Sequence, residues 1–433
     1  MSSAAANRII EFTPLSHNNK TMKVGYLSQP WEYSHPPNLG SSISRWTWEV
    51  SRRFSPPNEA MVVSPSTGKR PARHRYDRVD YLSLPLIGDR FLLKTLQKLE
   101  RHRGKRNDPF ASSFYYPIYA LLAACVFRNA RCQIVHIHNF SQFAPIIRRI
   151  NRRAKIVLHM HSDWLKELEF GVIAKRLANV DAVVGNSAYV TDAVERRFPH
   201  HASRCFTIFN GVNVNSFRPS PRTSDVNPDR IVYLGRLSPE KGVHVLIDAF
   251  AQVAKQLPRA ELELIGAAQV VPRDFIVDLS SDPLVRSLGR FYGDEGYEEY
   301  LRRSIRERSL VNVFFTGELG HEELANALRA AALLVAPSIV ETFGMPVVEA
   351  MASAVPVVAS RVGGLPELVI DGSTGILVAP DSAEGLAAAI VRLVTDRDTS
   401  RKMGLTGRQR AETMFSWEAV VQSVMHLYKH LSS

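Results

Sequence analysis

The chain has 433 residues, of which 45% are apolar and 22% are charged. This length and composition exclude a disordered tail and predict two or three domains with full hydrophobic cores. The three cysteines, Cys125, Cys132 and Cys205, show no CxxC spacing. They exclude a disulfide framework and a cysteine zinc site, and they favour a reducing compartment.

The net positive charge of the chain comes from its first half. Residues 1–220 carry 32 Lys and Arg against 15 Asp and Glu, whereas the remaining residues carry 22 against 27. This asymmetry predicts two units with different surfaces, the first of which faces an anionic partner. No RNA-binding or zinc-finger pattern accompanies the charge, so nucleic acid is disfavoured as that partner.

Strand-like and helix-like segments alternate along the chain, which predicts an α/β fold with parallel sheets. The predicted strands are Val24–Ser28, Ile134–His138, Ile156–Met160, Ala182–Gly185, Arg230–Leu234, Glu261–Ile265, Val311–Thr316, Leu333–Ala336, Val355–Ala359 and Ile376–Val378. The predicted helices include Ser41–Phe54, Gly242–Gln256, Glu322–Ala332, Ala383–Thr395 and Trp417–Leu431.

A proline-rich stretch at residues 217–229 predicts a linker between two domains, because three prolines cannot continue a helix or a central strand. We expect one domain over residues 22–216 and a second over residues 230–412. A C-terminal helix within residues 413–433 is expected to pack back on the first domain. The connection at residues 267–300 is long and acidic, and its role stays open between a partner element and a surface loop.

The apolar run Phe114–Phe127 has 14 residues and includes Pro117. A membrane span needs about 20 residues, so a buried helix is favoured. Residues 1–22 contain no apolar signal region. We therefore expect a cytoplasmic protein, with peripheral contact to the inner face of the membrane as an option.

The first motif with chemical content is Gly235–Gly242, GRLSPEKG, directly after a predicted strand and before a predicted helix. A helix start after a strand favours anions, and Arg236 and Lys241 add two cations there. The alternative is an ordinary surface turn capped by Ser238. No GxGxxG follows a predicted strand, which disfavours a dinucleotide oxidoreductase.

The second motif is Pro337–Ala352, PSIVETFGMPVVEAMA. Gly344 and Pro346 predict a tight turn into a helix. Glu341 is expected at the carboxyl end of a strand and Glu349 one turn into the helix. Two carboxylates at that edge of an open sheet can accept hydrogen bonds from sugar or ribose hydroxyls.

Together the two motifs resemble those of the family 4 glycosyltransferases, which are retaining enzymes of the GT-B fold. Further matches are Asn210–Val212, Phe315–Gly317, Gly363–Glu367 and the pair Asp371-Gly372 with Gly375. The resemblance is close in the second half of the chain and weak in the first. It implies two Rossmann-like domains that face each other across a crevice.

The resemblance also implies residue roles. Arg236 and Lys241 would bind the donor diphosphate, with the helix start at Gly242 assisting, and Gly317 would border the base. Glu349 would bind the ribose hydroxyls. The transferred sugar would be held by Glu341 and by the backbone amides of Phe343, Gly344 and Met345.

In the first half, Gly40 and Ser41 stand where the family usually has two glycines. They are expected either to direct helix amides at the diphosphate or to form a plain helix cap. The resemblance assigns His161 to the reacting sugar and the acceptor. His138, Asn139 and Asp163 are weaker acceptor-side candidates. His136, His138, His159 and His161 end two strands and would also suit a metal, although hydroxyl binding is an equal explanation.

Three segments carry the basic excess, namely residues 69–78, 94–106 and 148–155. Phe91, Leu92, Leu93, Leu96 and Leu99 add an apolar stripe to the second of them. A basic helix with an apolar stripe is typical of contact with an anionic membrane surface, and equally of a solvated helix packed on a core.

The sequence therefore predicts a hexosyltransferase that needs no metal and no cofactor besides a nucleotide-sugar donor, with UDP- or GDP-sugars favoured. The acceptor would be a glycan, a lipid-linked molecule or a small molecule. Asp396-Arg397-Asp398 is interpreted as surface charge rather than a metal motif. The alternatives are a non-catalytic nucleotide-sugar-binding or scaffold protein and a GT-B nucleotide-sugar epimerase.

Overall fold

The computed structural model describes residues 21–33, 35–36, 39–103, 112–221 and 225–433. For residues 96–103 it describes the backbone alone. Contacts divide the chain into two compact units. Unit 1 comprises residues 1–209 and 420–433, and unit 2 comprises residues 210–419.

Unit 1 contains an eight-stranded sheet in the order β3-β4-β2-β1-β5-β6-β7-β8, parallel except for the β3–β4 pair. Its strands are β1 (Lys23–Leu27), β2 (Glu59–Ser66), β3 (Ala72–Tyr76), β4 (Val79–Pro85), β5 (Ile134–His138), β6 (Lys155–Met160), β7 (Ala182–Gly185) and β8 (Cys205–Thr207). Its helices are α1 (Ser42–Ser51), α2 (Ile87–Arg103), α3 (Pro117–Asn129), α4 (Phe143–Ile150), α5 (Trp164–Glu167), α6 (Phe170–Leu177) and α7 (Ala188–Arg197).

Unit 2 contains a six-stranded parallel sheet in the order β11-β10-β9-β12-β13-β14. The strands are β9 (Arg230–Leu234), β10 (Glu261–Ile265), β11 (Val313–Gly317), β12 (Leu333–Ala336), β13 (Val357–Ser360) and β14 (Gly375–Val378). The helices are α8 (Val243–Gln256), α9 (Arg273–Ile276), α10 (Pro283–Ser287), α11 (Tyr297–Glu307), α12 (His321–Arg329), α13 (Met345–Ala352), α14 (Leu365–Leu368), α15 (Ala383–Thr395) and α16 (Arg397–Arg410). A last helix, α17 (Trp417–Ser432), begins in unit 2 and ends in unit 1.

Both sheets are buried because helices cover their faces, which explains why most strands are apolar on both sides. All ten predicted strands are confirmed, most within two residues of their bounds. The prediction omitted β2, β3, β4 and β8. The basic stretch at residues 69–78 contains the edge strand β3, whose residues Arg73, His74 and Arg75 are exposed and show no apolar alternation.

Segment 267–300 is part of the unit 2 core rather than a bare surface loop. It forms α9, α10 and a 3₁₀ turn at Leu288–Phe291, and it buries Val285, Leu288, Phe291 and Tyr297. The predicted linker is anchored at its start, where Phe217 is buried against His321. Residues 222–224 of that linker lie outside the described residues. Asp396 caps α16 by accepting a hydrogen bond from Thr399 N at 3.1 Å.

The apolar run at residues 114–127 forms most of α3, and this helix has two different faces. Tyr119, Ala120, Ala123, Ala124 and Phe127 are buried in the core of unit 1. Ile118, Leu121 and Leu122 are exposed on the other face. Within the described part of the chain, no helix combines the length and the apolarity that crossing a membrane requires.

Asp89 on α2 fixes the start of α3. Its buried carboxylate accepts hydrogen bonds from Ile118 N at 2.9 Å and Tyr119 N at 2.8 Å. We predict that Asp89→Ala lowers the free energy of unfolding by about 2 kcal/mol or more, because two amides near the core lose their acceptor. Thermal or denaturant unfolding of the full chain measures this.

Glu59→Ala is the matched control, because it removes the exposed carboxylate of a surface ion pair with Lys23. Such pairs contribute about 1 kcal/mol at most. Equal stability of Asp89→Ala and the parent chain would show that Asp89 does not hold α3.

Candidate functional site

The two sequence motifs of unit 2 meet at the point where the strand order reverses. Strands β9 and β12 are neighbours there and continue in opposite directions along the sheet. The first motif follows β9 at Gly235 and the second follows β12 at Pro337. Ligands of open α/β sheets bind outside the carboxyl ends of the strands at such a reversal.

Backbone contacts hold the two motifs against each other. The carbonyl oxygen of Glu240 accepts hydrogen bonds from Ile339 N at 2.9 Å and Val340 N at 3.1 Å. At Gly242, a Cβ atom would lie 2.0 Å from the carbonyl oxygen of Pro337. Any larger residue at Gly242 would force the two loops apart, so the glycine is needed for this approach.

This approach places Lys241 beside Glu341. Lys241 Nζ lies 2.7 Å from Glu341 Oε2, and the two side chains are only 20% and 14% exposed. The pair lies at a small pocket whose other lining residues are Tyr233, Leu234, Gly235, Ala336, Ser338, Gly344, Pro346, Val347 and Leu365. A cation and an acceptor carboxylate therefore share one pocket wall.

The start of α13 adds backbone donors to the same pocket. Gly344 adopts a left-handed conformation with φ of +113°, and its carbonyl accepts from Val347 N. In the described part of the chain, the amides of Gly344 and Met345 donate no hydrogen bond. Free amides at a helix start favour negatively charged oxygens. The Phe343 ring is buried near Phe415, so only the backbone of Phe343 is suited to a ligand.

The remaining predicted donor residues lie outside the lining of that pocket. Arg236 is 44% exposed, and its guanidinium lies 3.2 Å from the buried carboxylate of Glu240. Ser238 Oγ donates to the same carboxylate, which holds it in place. Glu349 is half-buried on α13. Gly317 ends β11, and its carbonyl accepts from Gly266 N at 2.8 Å.

The start of α8, which was expected to assist in binding the diphosphate, already has hydrogen-bond acceptors for three of its amides. The amide of His244 donates to the Tyr297 hydroxyl at 3.2 Å. The amides of Val245 and Leu246 donate to the Gly242 carbonyl. The long segment 267–300 supplies this tyrosine and thereby occupies the helix start.

In unit 1, Ser41 is the N-cap of α1, and its hydroxyl accepts from Ile43 N and Ser44 N at 3.1 Å each. Gly40 is exposed with open space around it. Of the two expected roles, the structure contains the helix cap, which uses the amides of Ile43 and Ser44. The sequence prediction also missed Glu32, whose Oε1 accepts from Ser44 N at 2.9 Å and from Ser41 Oγ.

Glu32 is a buried carboxyl group with one unsatisfied oxygen. It is 5% exposed, and Oε2 has no hydrogen-bond partner among the described residues. Burial raises the pKa of Glu32 to about 7, against the hydrogen bonds from Ser44 and Gln29, which lower it. No sequence motif marks this residue, since it stands alone in a loop.

The four strand histidines form two hydrogen-bonded pairs on one side of the unit 1 sheet. His138 Nδ1 lies 3.0 Å from His161 Nε2, and His136 Nε2 lies 3.1 Å from His159 Nδ1. The hydroxyls of Thr47 and Tyr428 contact the outer nitrogens of His138 and His136, at 3.0 and 2.6 Å. Of the four histidines, only His161 is not fully buried.

Three of these rings satisfy the spacing of a metal site. Nitrogens of His136, His138 and His159 lie within 4.8 Å of one another. Burial lowers the pKa of all three well below the usual histidine value, which leaves them neutral. Their nitrogens are largely used in hydrogen bonds to one another, Thr47 and Tyr428. We therefore interpret the group as a hydrogen-bonded cluster that supports His161.

Asn139 and Asp163 have structural partners within unit 1. Asn139 follows β5 in a left-handed conformation, and its Oδ1 accepts from the backbone amide of His161 at 2.7 Å. Asn139 therefore positions His161. The carboxylate of Asp163 lies 2.6 Å from Lys166 Nζ and accepts from the Tyr189 hydroxyl at 3.2 Å.

Comparisons with known proteins agree with this arrangement. The family model described as "Glycosyltransferase Family 4" matches residues 43–216, and the model "Glycosyl transferases group 1" matches residues 217–410. The chain belongs to the family 4 glycosyltransferases. The family 4 resemblance proposed from the two motifs of unit 2 is thus confirmed.

The curated relatives of this chain have names that give different products. A glycogen synthase of Mycobacterium tuberculosis is 27% identical over 70% of this chain and 69% of its own length. A lipopolysaccharide 1,2-N-acetylglucosaminetransferase of Salmonella typhimurium is 25% identical over 90% of this chain and 94% of its own length. An alpha-maltose-1-phosphate synthase of Mycolicibacterium smegmatis is 31% identical over 58% of this chain, and the match spans 64% of that protein.

Solved structures confirm the GT-B fold class of this glycosyltransferase. A sucrose-phosphate synthase from Thermosynechococcus elongatus has a TM-score of 0.70 at 22% identity and covers 95% of this chain and 99% of its own. Anabaena HepE in complex with UDP and glucose has a TM-score of 0.67 at 21% identity, with coverage of 94% and 99%. At this identity the likeness concerns the fold alone.

Glu32 generates a prediction about pH and stability. Its pKa of about 7 in the folded chain exceeds the ordinary value of 4.5, so the folded state binds the proton more tightly. The favourable contribution of Glu32 to the free energy of unfolding is therefore fully present below about pH 4.5, and it is lost as the pH rises through about 7. We predict that Glu32→Gln removes this loss and stabilises the chain at pH 8 by up to about 3 kcal/mol.

The measurement is the difference in thermal unfolding between Glu32→Gln and the parent chain from about pH 5 to pH 8, the range over which the shifted carboxyl titrates. Other titrating groups cancel in this difference. Glu49→Gln is the control, because Glu49 is a carboxylate on α1 paired with Arg52 and Arg53. A pH-independent difference at Glu32 would contradict the prediction.

Proposed function

We propose that this glycosyltransferase moves a hexose-type sugar from a UDP- or GDP-sugar to an acceptor hydroxyl, with retention of configuration and without a metal. The products would be glycolipids, cell-surface polysaccharides or other glycoconjugates. The observation that carries the proposal is the Lys241–Glu341 pair beside the free amides of α13. Anabaena HepE, a structural neighbour, has been solved with UDP and glucose.

The diphosphate of the donor is assigned to Lys241 and Arg236. We also assign it the amides of Gly344 and Met345, which the family resemblance gives to the transferred sugar, because free amides at a helix start favour negatively charged oxygens. A leaving diphosphate gains negative charge as the sugar bond breaks, and preorganised cations and amides stabilise that charge without reorganisation. Glu240 keeps the guanidinium of Arg236 oriented. These groups supply the positive charge that a metal supplies in other transferases.

The sugar and the ribose are assigned to the two carboxylates of the second motif. Glu341 would accept hydrogen bonds from the transferred sugar, with the backbone of Phe343 assisting, and Glu349 from the ribose. Gly317 is proposed to border the base. Lys241 neutralises Glu341, which reduces the repulsion between this carboxylate and an arriving diphosphate.

The acceptor is assigned to unit 1, where His161 is the most accessible of the strand histidines. His138 and Asn139 hold His161, and Asp163 is retained as an acceptor-side candidate beside Lys166. The relatives' names include a lipopolysaccharide and glycogen as products, so a glycan, a lipid-linked or a small acceptor is proposed.

Contact with an anionic membrane surface is a second element of the proposal. Ile87 and Phe91 on α2 and Ile118, Leu121 and Leu122 on α3 are exposed, and Phe91 is 75% exposed. Leu92 and Leu93 of the predicted stripe are half-buried, and the side chains of Leu96 and Leu99 lie outside the described residues. The apolar surface is therefore shared by two helices, with the exposed cations Arg90 and Lys94 beside it.

We predict that one nucleoside diphosphate raises the melting temperature of the chain, and that Lys241→Met weakens its binding by about 10-fold or more. A charge-assisted hydrogen bond to the diphosphate is lost in this variant. A thermal-shift panel of UDP, GDP, ADP and their sugars measures the effect. Incubation of the chain with the nucleotide sugar alone, without acceptor, distinguishes transfer from epimerisation, because only an epimerase would convert the sugar to its epimer.

Two variants sharpen this experiment. Lys255→Met removes an exposed cation from the far end of α8 and should leave nucleotide binding unchanged. Glu341→Gln should bind the nucleoside diphosphate at least as well as the parent chain, because it frees Lys241, yet it should lose sugar transfer. Equal weakening by Lys241→Met and Lys255→Met would contradict the assigned site.

We predict that the chain binds vesicles of anionic lipid and that the double variant Phe91→Ser, Leu121→Ser binds them at least about 5-fold more weakly, because it removes two inserted apolar side chains. Vesicle sedimentation measures this. Leu405→Ser, at an exposed leucine of unit 2, is the control. Equal binding to neutral and anionic vesicles would show that electrostatic attraction does not drive the proposed membrane contact.

A further inference from the structure

A short hydrogen-bonded chain runs from α1 to the candidate residue His161. Thr47 Oγ1 lies 3.0 Å from His138 Nε2, and His138 Nδ1 lies 3.0 Å from His161 Nε2. Thr47 and His138 are buried, with 2% and 1% exposure. Because water does not compete for buried polar groups, each proton in this chain has a restricted set of partners.

The hydroxyl of Thr47 sets the direction of the first bond. It donates to the carbonyl oxygen of Ile43 at 3.0 Å, one turn earlier in α1, as helical threonines commonly do. A hydroxyl has one proton, so Thr47 must accept the bond from His138. His138 Nε2 therefore carries a hydrogen.

The second bond then has only one direction. Burial, with smaller contributions from the neighbouring His136 and His161, lowers the pKa of His138 well below its usual value, so this ring is neutral and carries a single proton. Since Nε2 holds that proton, Nδ1 is an acceptor, and His161 Nε2 must donate to it. A neutral His161 consequently has its lone pair on Nδ1.

We propose that Thr47 and His138 are positioning residues that hold His161 in its Nε2–H tautomer, and that this fixed tautomer is the form of His161 that acts on the substrate. This assignment rests on the proposed function, in which His161 contacts the substrate.

The test uses the full chain labelled with ¹⁵N-histidine, without substrate, at about pH 8.5, where imidazoles with ordinary pKa values are neutral. Long-range ¹H–¹⁵N correlation spectra report the tautomer of each ring. The His138→Gln and His161→Gln variants assign the signals among the 14 histidines. We expect both His138 and His161 as Nε2–H tautomers in the parent chain.

Thr47→Val removes the acceptor hydroxyl at nearly constant volume, whereas Thr47→Ser keeps it. We expect Thr47→Val to move His138 and His161 toward the Nδ1–H tautomer and Thr47→Ser to preserve the parent pattern. An Nδ1–H signal for His161 in the parent chain would overturn the proposal, even if Thr47→Val fails to fold. Unchanged tautomers in a folded Thr47→Val variant would also overturn it.

Kinetics connect the tautomer to transfer. We expect Thr47→Val to lower kcat/KM by about 10-fold, the usual cost of one misdirected hydrogen bond, and Thr47→Ser to retain most of it. If Thr47→Val switches the tautomers but leaves kcat/KM unaltered, the tautomer of His161 has no role in orienting the substrate. If the parent chain transferred no sugar, the proposed function would fail, while the spectra would still decide the tautomer.

Discussion

The ion pair between Lys241 and Glu341 joins two parts of the chain that are 100 positions apart. It exists because the Glu240 carbonyl binds the amides that precede Glu341, and because Gly242 allows the Pro337 carbonyl to approach. Without these contacts, the strand reversal between β9 and β12 would leave a cation and a carboxylate in separate loops. With them, one pocket has both a cation and a carboxylate, the groups to which we assign the donor diphosphate and its sugar.

Unit 1 holds a cluster of buried, hydrogen-bonded imidazoles on its sheet. Burial lowers the pKa of three histidines, and the hydroxyls of Thr47 and Tyr428 contact the nitrogens at the two ends of the cluster. Tyr428 comes from α17, so the end of the chain supports residues of β5. Within this cluster, the partly exposed His161 therefore lies on three buried, uncharged imidazoles.

The sequence predicted ten of the fourteen strands in the described residues, because many buried parallel strands are apolar on both faces. It omitted β2, β3, β4 and β8, of which β3 is an exposed edge strand without apolar alternation. It also gave no sign that Tyr297, from a distant segment, accepts a hydrogen bond at the start of α8. Glu32 and Thr47 were missed because their partners become neighbours only through the fold. Contacts of this kind carry no local sequence signal.

The central claim is that the Lys241–Glu341 pocket binds the donor diphosphate, and a crystal structure with the preferred nucleoside diphosphate tests it most directly. The account predicts phosphate oxygens within hydrogen-bond distance of Lys241 Nζ and of the amides of Gly344 and Met345. Phosphates bound away from Lys241 and α13, with the Lys241–Glu341 pair intact beneath an empty pocket, would contradict it.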